Sequence, residues 1–298
     1  MTDFQTYLEA KRTVDDRALN RRVFDQFADA LDGRESPVRI VELGAGIGTM
    51  IARLATWDGL PEHVCYRAID QDTASIEHAR SRVPEWLTAA GYEIEQSSGS
   101  SSVSARSGEQ RLDVTLEIAD AFEIDDTADA VIASAFLDVV PLGDAIDTIE
   151  ALLAPEGVVY APITFDGGTR FAPPDTLDDR IERAYHRHMD EYRATGGSQT
   201  GRELLTTLPD RGWDVLSAGG SDWIVRPTED GYPGSERQFV AHLLDTIDGA
   251  LADFESAVIE ATTRERWLDR RRGELDRGEL VFVAHNLDVL ARRPPLQS

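Results

Sequence analysis

Arg39-Ile40-Val41-Glu42-Leu43-Gly44-Ala45-Gly46-Ile47-Gly48-Thr49-Met50 is the stretch whose reading decides the fold. Its apolar half, Val38 to Leu43, has the length and composition of a buried strand. Three glycines then turn the chain into a helix that begins at Thr49. Roughly twenty residues further on, the spacing at which such units place a ribose ligand, a second apolar run, Tyr66-Arg67-Ala68-Ile69, ends at Asp70. Glycine lets backbone approach a ligand closely, and a carboxylate at the tip of the next strand can hold two ribose hydroxyls. Together they read as the nucleoside-binding edge of an α/β sheet.

The wording of the turn selects the nucleoside. A dinucleotide site needs G-x-G-x-x-G, with pyrophosphate on the helix N-terminus. Here the glycines stand at 44, 46 and 48, and Glu42 lies two residues before the first. A carboxylate there repels a pyrophosphate and suits a ligand with a positive end. With Val41-Glu42-Leu43-Gly44-Ala45-Gly46-Ile47-Gly48 in place, the chain resembles the class I methyltransferases that use S-adenosylmethionine. That resemblance implies a seven-stranded, mostly parallel, doubly wound α/β sheet, with one antiparallel strand, N-terminal helices and a helical cap. The other reading of the turn is a glycine-rich bend in some unrelated α/β protein.

Composition narrows the classes. A chain of 298 residues buries a full core as one domain with a cap. No apolar run is long enough for a membrane span. Met1-Thr2-Asp3-Phe4 carries neither a basic region nor an apolar segment, so a cytoplasmic protein is expected. The single cysteine, Cys65, reads as a small core residue. Acidic residues number 55 against 30 basic ones, a net charge of −25, and Lys11 is the only lysine. The carboxylates are spread along the chain, which resembles proteins of salt-in halophiles and suggests a halophilic archaeal type. At molar salt the Debye length is about 3 Å, so such self-repulsion is tolerable. The charge disfavours nucleic acid as a partner.

Apolar spacing divides the chain into N-terminal helices (1–36), a nucleoside-binding core (37–165), a cap insertion (166–199), a return to the core (200–227), a helical cap insertion (228–278) and a last strand with tail (279–298). Within it, Gln96 to Gln110, rich in Ser and Gly, reads as a mobile loop inside a hairpin, and the last strand as Leu280 to Ala284. In the topology implied by the resemblance, both insertions emerge at the carboxyl edge of the sheet, where open α/β sheets bind ligands.

The resemblance also implies a set of contacts. Gly44, Ala45, Gly46 and Gly48 would pass around the methionine moiety, and Glu42 would face its ammonium. Asp70, with Gln71 beside it, would take the ribose diol. Asp120 would bond the adenine amino group, Ala121 and Phe122 would flank the base, and Ser134 would complete the site. Asp138, after the fourth strand, is the first candidate for orienting or deprotonating an acceptor, although a helix N-cap role suits it too. His186, in the cap, is a candidate general base. Tyr185, Trp223, Arg266 and Arg270 are candidate acceptor contacts. Arg266 and Arg270 would clamp a carboxylate or phosphate, or else pair with surface acids. Asp138 and Asp166 faintly echo a magnesium pair, but Gly167 follows Asp166 and no metal is expected.

Tyr7-Leu8…Arg12, Ala133 to Asp138, Gly219 to Trp223 and Trp267…Arg271 leading to His285-Asn286-Leu287-Asp288 resemble a group of prokaryotic class I methyltransferases. The segment after the fourth strand is not Asn/Asp-Pro-Pro-Tyr and holds no cysteine, which counts against both DNA-methylating branches. The expected function is methyl transfer to an oxygen, or a nitrogen, of a small molecule. The alternatives are an RNA or protein methyltransferase of the same fold and a non-catalytic nucleoside-binding module.

Overall fold

The computed structural model describes residues 3–98, 101–193, 195–254 and 259–293. Two helices, α1 (Asp3–Ala18) and α2 (Arg21–Leu31), precede the first strand. Asn20 caps α2 by accepting a hydrogen bond from Val23 N, and Val23, Phe24, Phe27 and Leu31 recur at helical spacing and are buried. Strand β1 (Val38–Leu43) is buried at every position but Arg39, as a central parallel strand must be. After α3 (Thr49–Thr56), strand β2 (His63–Asp70) runs parallel to β1. Helix α4 (Thr73–Ala89) is capped by Asp72, which accepts from Ala74 N and Ser75 N, and Gly91 at φ 93° follows its end.

The serine-rich segment departs from the expectation of a loop. Strands β3 (Glu93–Ser98), β4 (Ser102–Ser107) and β5 (Gln110–Ile118) form an antiparallel meander at the sheet edge, and only Gly99 and Ser100 of that stretch lie outside the described residues. Val103 and Ala105 carry a period of two that the serines around them obscure, and both are buried. Ser104 Oγ donates to Asp113 Oδ1 at 2.6 Å, so a polar position is satisfied within the sheet.

The rest alternates: β6 (Ala128–Ile132), α5 (Leu142–Leu152), β7 (Leu153–Ala172), α6 (Asp178–Glu191), α7 (Thr200–Asp210), β8 (Asp214–Gly220), β9 (Trp223–Val225), α8 (Glu236–Ala252), α9 (Ala261–Asp276) and β10 (Val281–Arg292). The sheet order is β3-β4-β5-β2-β1-β6-β7-β10-β8, with β9 paired to β10. From β5 to β7 neighbouring strands are parallel, and β10 runs antiparallel between β7 and β8. This is a mostly parallel, doubly wound α/β sheet. Among the described residues it has ten strands rather than seven, because β3, β4 and β9 are added to the expected set. The last strand also runs to Arg292, since β7 and β8 flank it for most of its length.

One irregularity fixes the end of the sheet that matters. Pro162 and Ile163 lie opposite the single residue Asp288, a β-bulge with Ile163 at φ 55°. That conformation is costly for a β-branched residue. The buried Asp288 carboxylate accepts from Ile163 N and from Asn20 N, each at 2.8 Å, holding both the bulge and the start of α2. Asp288 is thus a structural residue.

The cap helices bury one apolar cluster together with α1, including Val14, Ile181, Phe239, Ile247 and Trp267. Arg271 is fully buried there; it donates to both Asp178 oxygens, to Glu274 and to Pro173 O, and thus ties α9 to the start of α6. Among the described residues, no helix is long and apolar enough to cross a membrane.

Candidate functional site

Strand order reverses between β2 and β6 on either side of β1, and a crevice opens there at the carboxyl ends of the strands. It is a cavity of about 630 Å³ bounded by the glycine turn, the ends of β2, β5 and β6, helix α1 and the cap. Gly44 and Gly46 sit in the left-handed region at φ 65° and 53°. Gly44 is further constrained, because a Cβ there would lie 2.4 Å from the Phe136 ring. Gly48 differs from the expected role. It is the N-cap of α3 at φ 81°, a Cβ on it would meet Val83 at 2.7 Å, and it does not line the cavity. Close packing of α3 on α4, not ligand approach, requires glycine there.

Glu42, Ala45, Asp70, Gln71, Asp120, Ala121, Phe122 and Ser134 all line the cavity with Gly44 and Gly46. Glu42 is buried at its floor and accepts a hydrogen bond from Tyr66 Oη at 2.8 Å. Burial pushes its carboxyl from the ordinary 4.5 up to about 8, against the hydrogen bond from Tyr66 and the charge of Arg53. Asp70 Oδ2 accepts from Gly46 N and Oδ1 from Asp72 N, each at 2.8 Å. Each oxygen keeps a second lone pair for a ligand. Burial raises the Asp70 pKa, while those two amides oppose the rise. Asp120 Oδ1 accepts from Phe122 N at 2.9 Å, an Asx turn that presents the exposed Phe122 ring at the mouth.

The opposite half of the cavity is built from segments distant in sequence. Helix α1 supplies Phe4, Tyr7, Leu8, Lys11 and Asp15, and α8 supplies His242, Leu243, Thr246 and Ile247. Helix α1 is held down by a buried cation: Arg53 of α3 donates to Asp16 Oδ1 at 2.6 Å and to Asp15 Oδ2 at 3.4 Å. Asp15 also accepts from Lys11 Nζ at 2.7 Å and from Trp223 Nε1 at 2.9 Å, joining α1 to β9. The only lysine is therefore a buried, paired residue at the ligand cavity.

Asp138, Tyr185 and Trp223 face this half. Burial raises the pKa of Asp138, with Lys11 and Arg193 pulling the other way. Its Oδ1 is buried without a hydrogen-bond partner among the described residues, and Pro141 rather than Asp138 is the N-cap of α5. Desolvation drives the Tyr7 and Tyr185 hydroxyls upward, so both stay protonated donors.

Three expected residues lie elsewhere. His186 does not line the cavity; its Nε2 is 3.0 Å from Thr169 Oγ1, and burial lowers its pKa so that the neutral ring prevails. Asp190, on its face of the helix, instead accepts from Ser198 N and Oγ. Arg270 is bound to Asp175 and Glu274 at 2.7 and 2.8 Å, and Arg266 is exposed on α9 outside the cavity. Arg270 is thus claimed by surface acids before a ligand can reach it. Asp166 is likewise engaged by Arg202, through N at 2.7 Å and Nε at 2.9 Å. Sequence reasoning missed Arg193, which lines the cavity just past the end of α6. Its position before Gly196-Gly197 resembled an ordinary solvated helix end.

No family model matches the chain, and no curated protein matches it. Among solved structures, the chain is similar to YjhP from E. coli at 15% identity, covering 95% of this chain and 100% of that one, with a TM-score of 0.46. It is similar to a geranyl diphosphate C-methyltransferase from Streptomyces coelicolor at 11% identity, covering 92% and 79% with a TM-score of 0.43. A mycolic acid cyclopropane synthase gives 13% identity, 91% and 82% coverage and a TM-score of 0.44. At such identities and scores the reading of the site rests on the chain's own geometry.

Proposed function

We propose that this chain is an S-adenosylmethionine-dependent methyltransferase acting on an oxygen, or a nitrogen, of a small-molecule acceptor. One observation carries the reading. Glu42, Asp70 and Asp120, at or just beyond the carboxyl ends of three neighbouring strands, converge with the glycine turn on one cavity. The described residues of that wall include no cation. A pyrophosphate would meet three carboxylates there, whereas a cationic, phosphate-free nucleoside finds a match for each.

When bound, the nucleoside would supply an electrophilic methyl on sulfur. The chain's residues would hold it and exclude water. Glu42 would pair with the ammonium, Asp70 with the ribose hydroxyls, and Phe122 would cover the base. Asp138, with a free buried oxygen, would accept the hydrogen of the acceptor's hydroxyl or amine and orient its lone pair. Such positioning is worth about 7–11 kcal/mol in a bimolecular displacement. The acid-rich, lysine-poor surface supports activity at high salt. The net charge of −25 favours a small acceptor over RNA.

Calorimetry tests the reading. S-adenosylmethionine and S-adenosylhomocysteine should bind at one site, while NAD⁺ and ATP should not. Tighter binding of either phosphate-bearing nucleotide would refute it.

A further inference from the structure

Resting on the methyl-transfer reading, we infer that the acceptor is an organic acid: its carboxylate on Arg193, its hydroxyl or amine on Asp138, and an apolar body between them. Cations around this cavity are otherwise taken. Lys11 pairs with Asp15, Arg53 with Asp15 and Asp16, Arg170 with Asp179 and Glu182, and Arg202 with Asp166. Arg193 is different. It lines the cavity, half-buried, and its guanidinium makes no hydrogen bond or ion pair among the described residues. In a chain with 55 carboxylates, an unpaired guanidinium on a ligand cavity is a vacant anion site.

Asp138 is its counterpart. The two groups feel each other's charge but form no ion pair, and Asp138 Oδ1 is buried with no hydrogen-bond partner among the described residues. The backbone fixes the gap between them. Gly197 N donates to Asp138 O at 3.3 Å, and Thr195 Oγ1 donates to Val139 O at 2.9 Å, so the segment after Arg193 is laid against the one after Asp138. A Cβ on Gly196 would lie 2.3 Å from Asp138 O, so this approach also requires glycine. A ligand that satisfies both groups needs an acceptor of hydrogen bonds at one end and a donor at the other. Phe165, Tyr185, Met189, Trp223 and Leu243 line the same half of the cavity. They require that the remainder be apolar.

The test uses matched probes on the full-length protein saturated with S-adenosylhomocysteine in high salt. Titration calorimetry would compare 4-hydroxyphenylacetate with 4-hydroxyphenylacetamide, and 3-hydroxydecanoate with its amide. At least one acid should bind about 10-fold or more tighter than its amide, the range for a charge-assisted bond. Arg193→Gln should erase that preference, and Arg193→Lys should restore part of it. Both variants should bind S-adenosylhomocysteine within about twofold of the parent, less than one hydrogen bond is worth. Equal binding of acid and amide, no acid binding, or a preference surviving in Arg193→Gln would overturn the inference. So would a large loss of S-adenosylhomocysteine affinity in that variant, which would place Arg193 on the nucleoside's own carboxylate. Failure of the parent protein to bind S-adenosylhomocysteine would instead sink the methyl-transfer reading. The acid and amide comparison, repeated on the ligand-free protein, would still report on Arg193.

Discussion

Tyr66 donates its phenolic hydrogen to Glu42 Oε2 across 2.8 Å, with both side chains buried beneath the glycine turn. The pair joins adjacent strands and aims one carboxylate at the ligand cavity. Burial nonetheless dominates, and the Glu42 carboxyl is pushed up to about 8 in the ligand-free protein.

That shift sets a pH dependence. The unfolded chain ionises Glu42 near 4.5, while the folded one keeps the proton to about 8. The folded state therefore binds more protons through this window. Its stability falls as pH rises, by at most about 1.4 kcal/mol per unit, and levels off above the folded pKa. Urea unfolding between pH 5 and pH 8 should show this slope reduced in Glu42→Gln. Identical slopes would remove the group from the account. Binding of a ligand ammonium below pH 8 should also release a proton, visible as a dependence of the binding heat on the buffer.

Asp70 joins loop and ligand. Asp70→Ala removes the acceptor for Gly46 N and Asp72 N as well as the proposed ribose contact. We expect about a 10- to 100-fold loss of S-adenosylhomocysteine affinity, the range of 1.5–3 kcal/mol for bonds to a charged group. Unchanged affinity by calorimetry would take Asp70 out of the site.

Arg53 is the clasp of α1. Its side chain is 2% exposed and faces Asp15 and Asp16. Arg53→Ala removes the cation shared by Asp15 and Asp16, while Lys11 still pairs with Asp15, so the cost should stay below the about 3–5 kcal/mol of breaking a fully buried pair. Hydrogen exchange should rise first in α1, because its lid contacts depend on that clasp. Exchange rising uniformly through the sheet would argue against a local clasp.

Asp138 and His186 separate by position. Asp138→Asn should lower kcat about 100-fold or more, the low end for a positioned proton acceptor, without loss of nucleoside affinity. His186→Gln lies behind Thr169 and should keep most activity. The reverse ranking, measured once an acceptor is in hand, would return the base to the cap helix.

The half of the cavity around the glycine turn was legible because it is local. Glu42 and the glycines lie on one strand and turn, and Asp70 ends the next strand, so pleat and turn geometry alone bring them together. The same locality misled at Gly48, where a loop glycine serves helix packing, and in the serine-rich meander, where Val103 and Ala105 were outnumbered.

The acceptor half was not legible, since it assembles α1, α6, α8, β9 and the loop after β6 from the length of the chain. The amino-acid sequence by itself determined the strand alternation, the glycine turn and the carboxylates that converge on it, all set by neighbours within a few tens of residues. Only the tertiary structure decided that Arg193 at the cavity keeps no ion pair among the described residues, that His186 is turned away and that the single lysine is buried. Those outcomes depend on competition among acids brought close by folding, and a charge has no partner until the chain has chosen its neighbours.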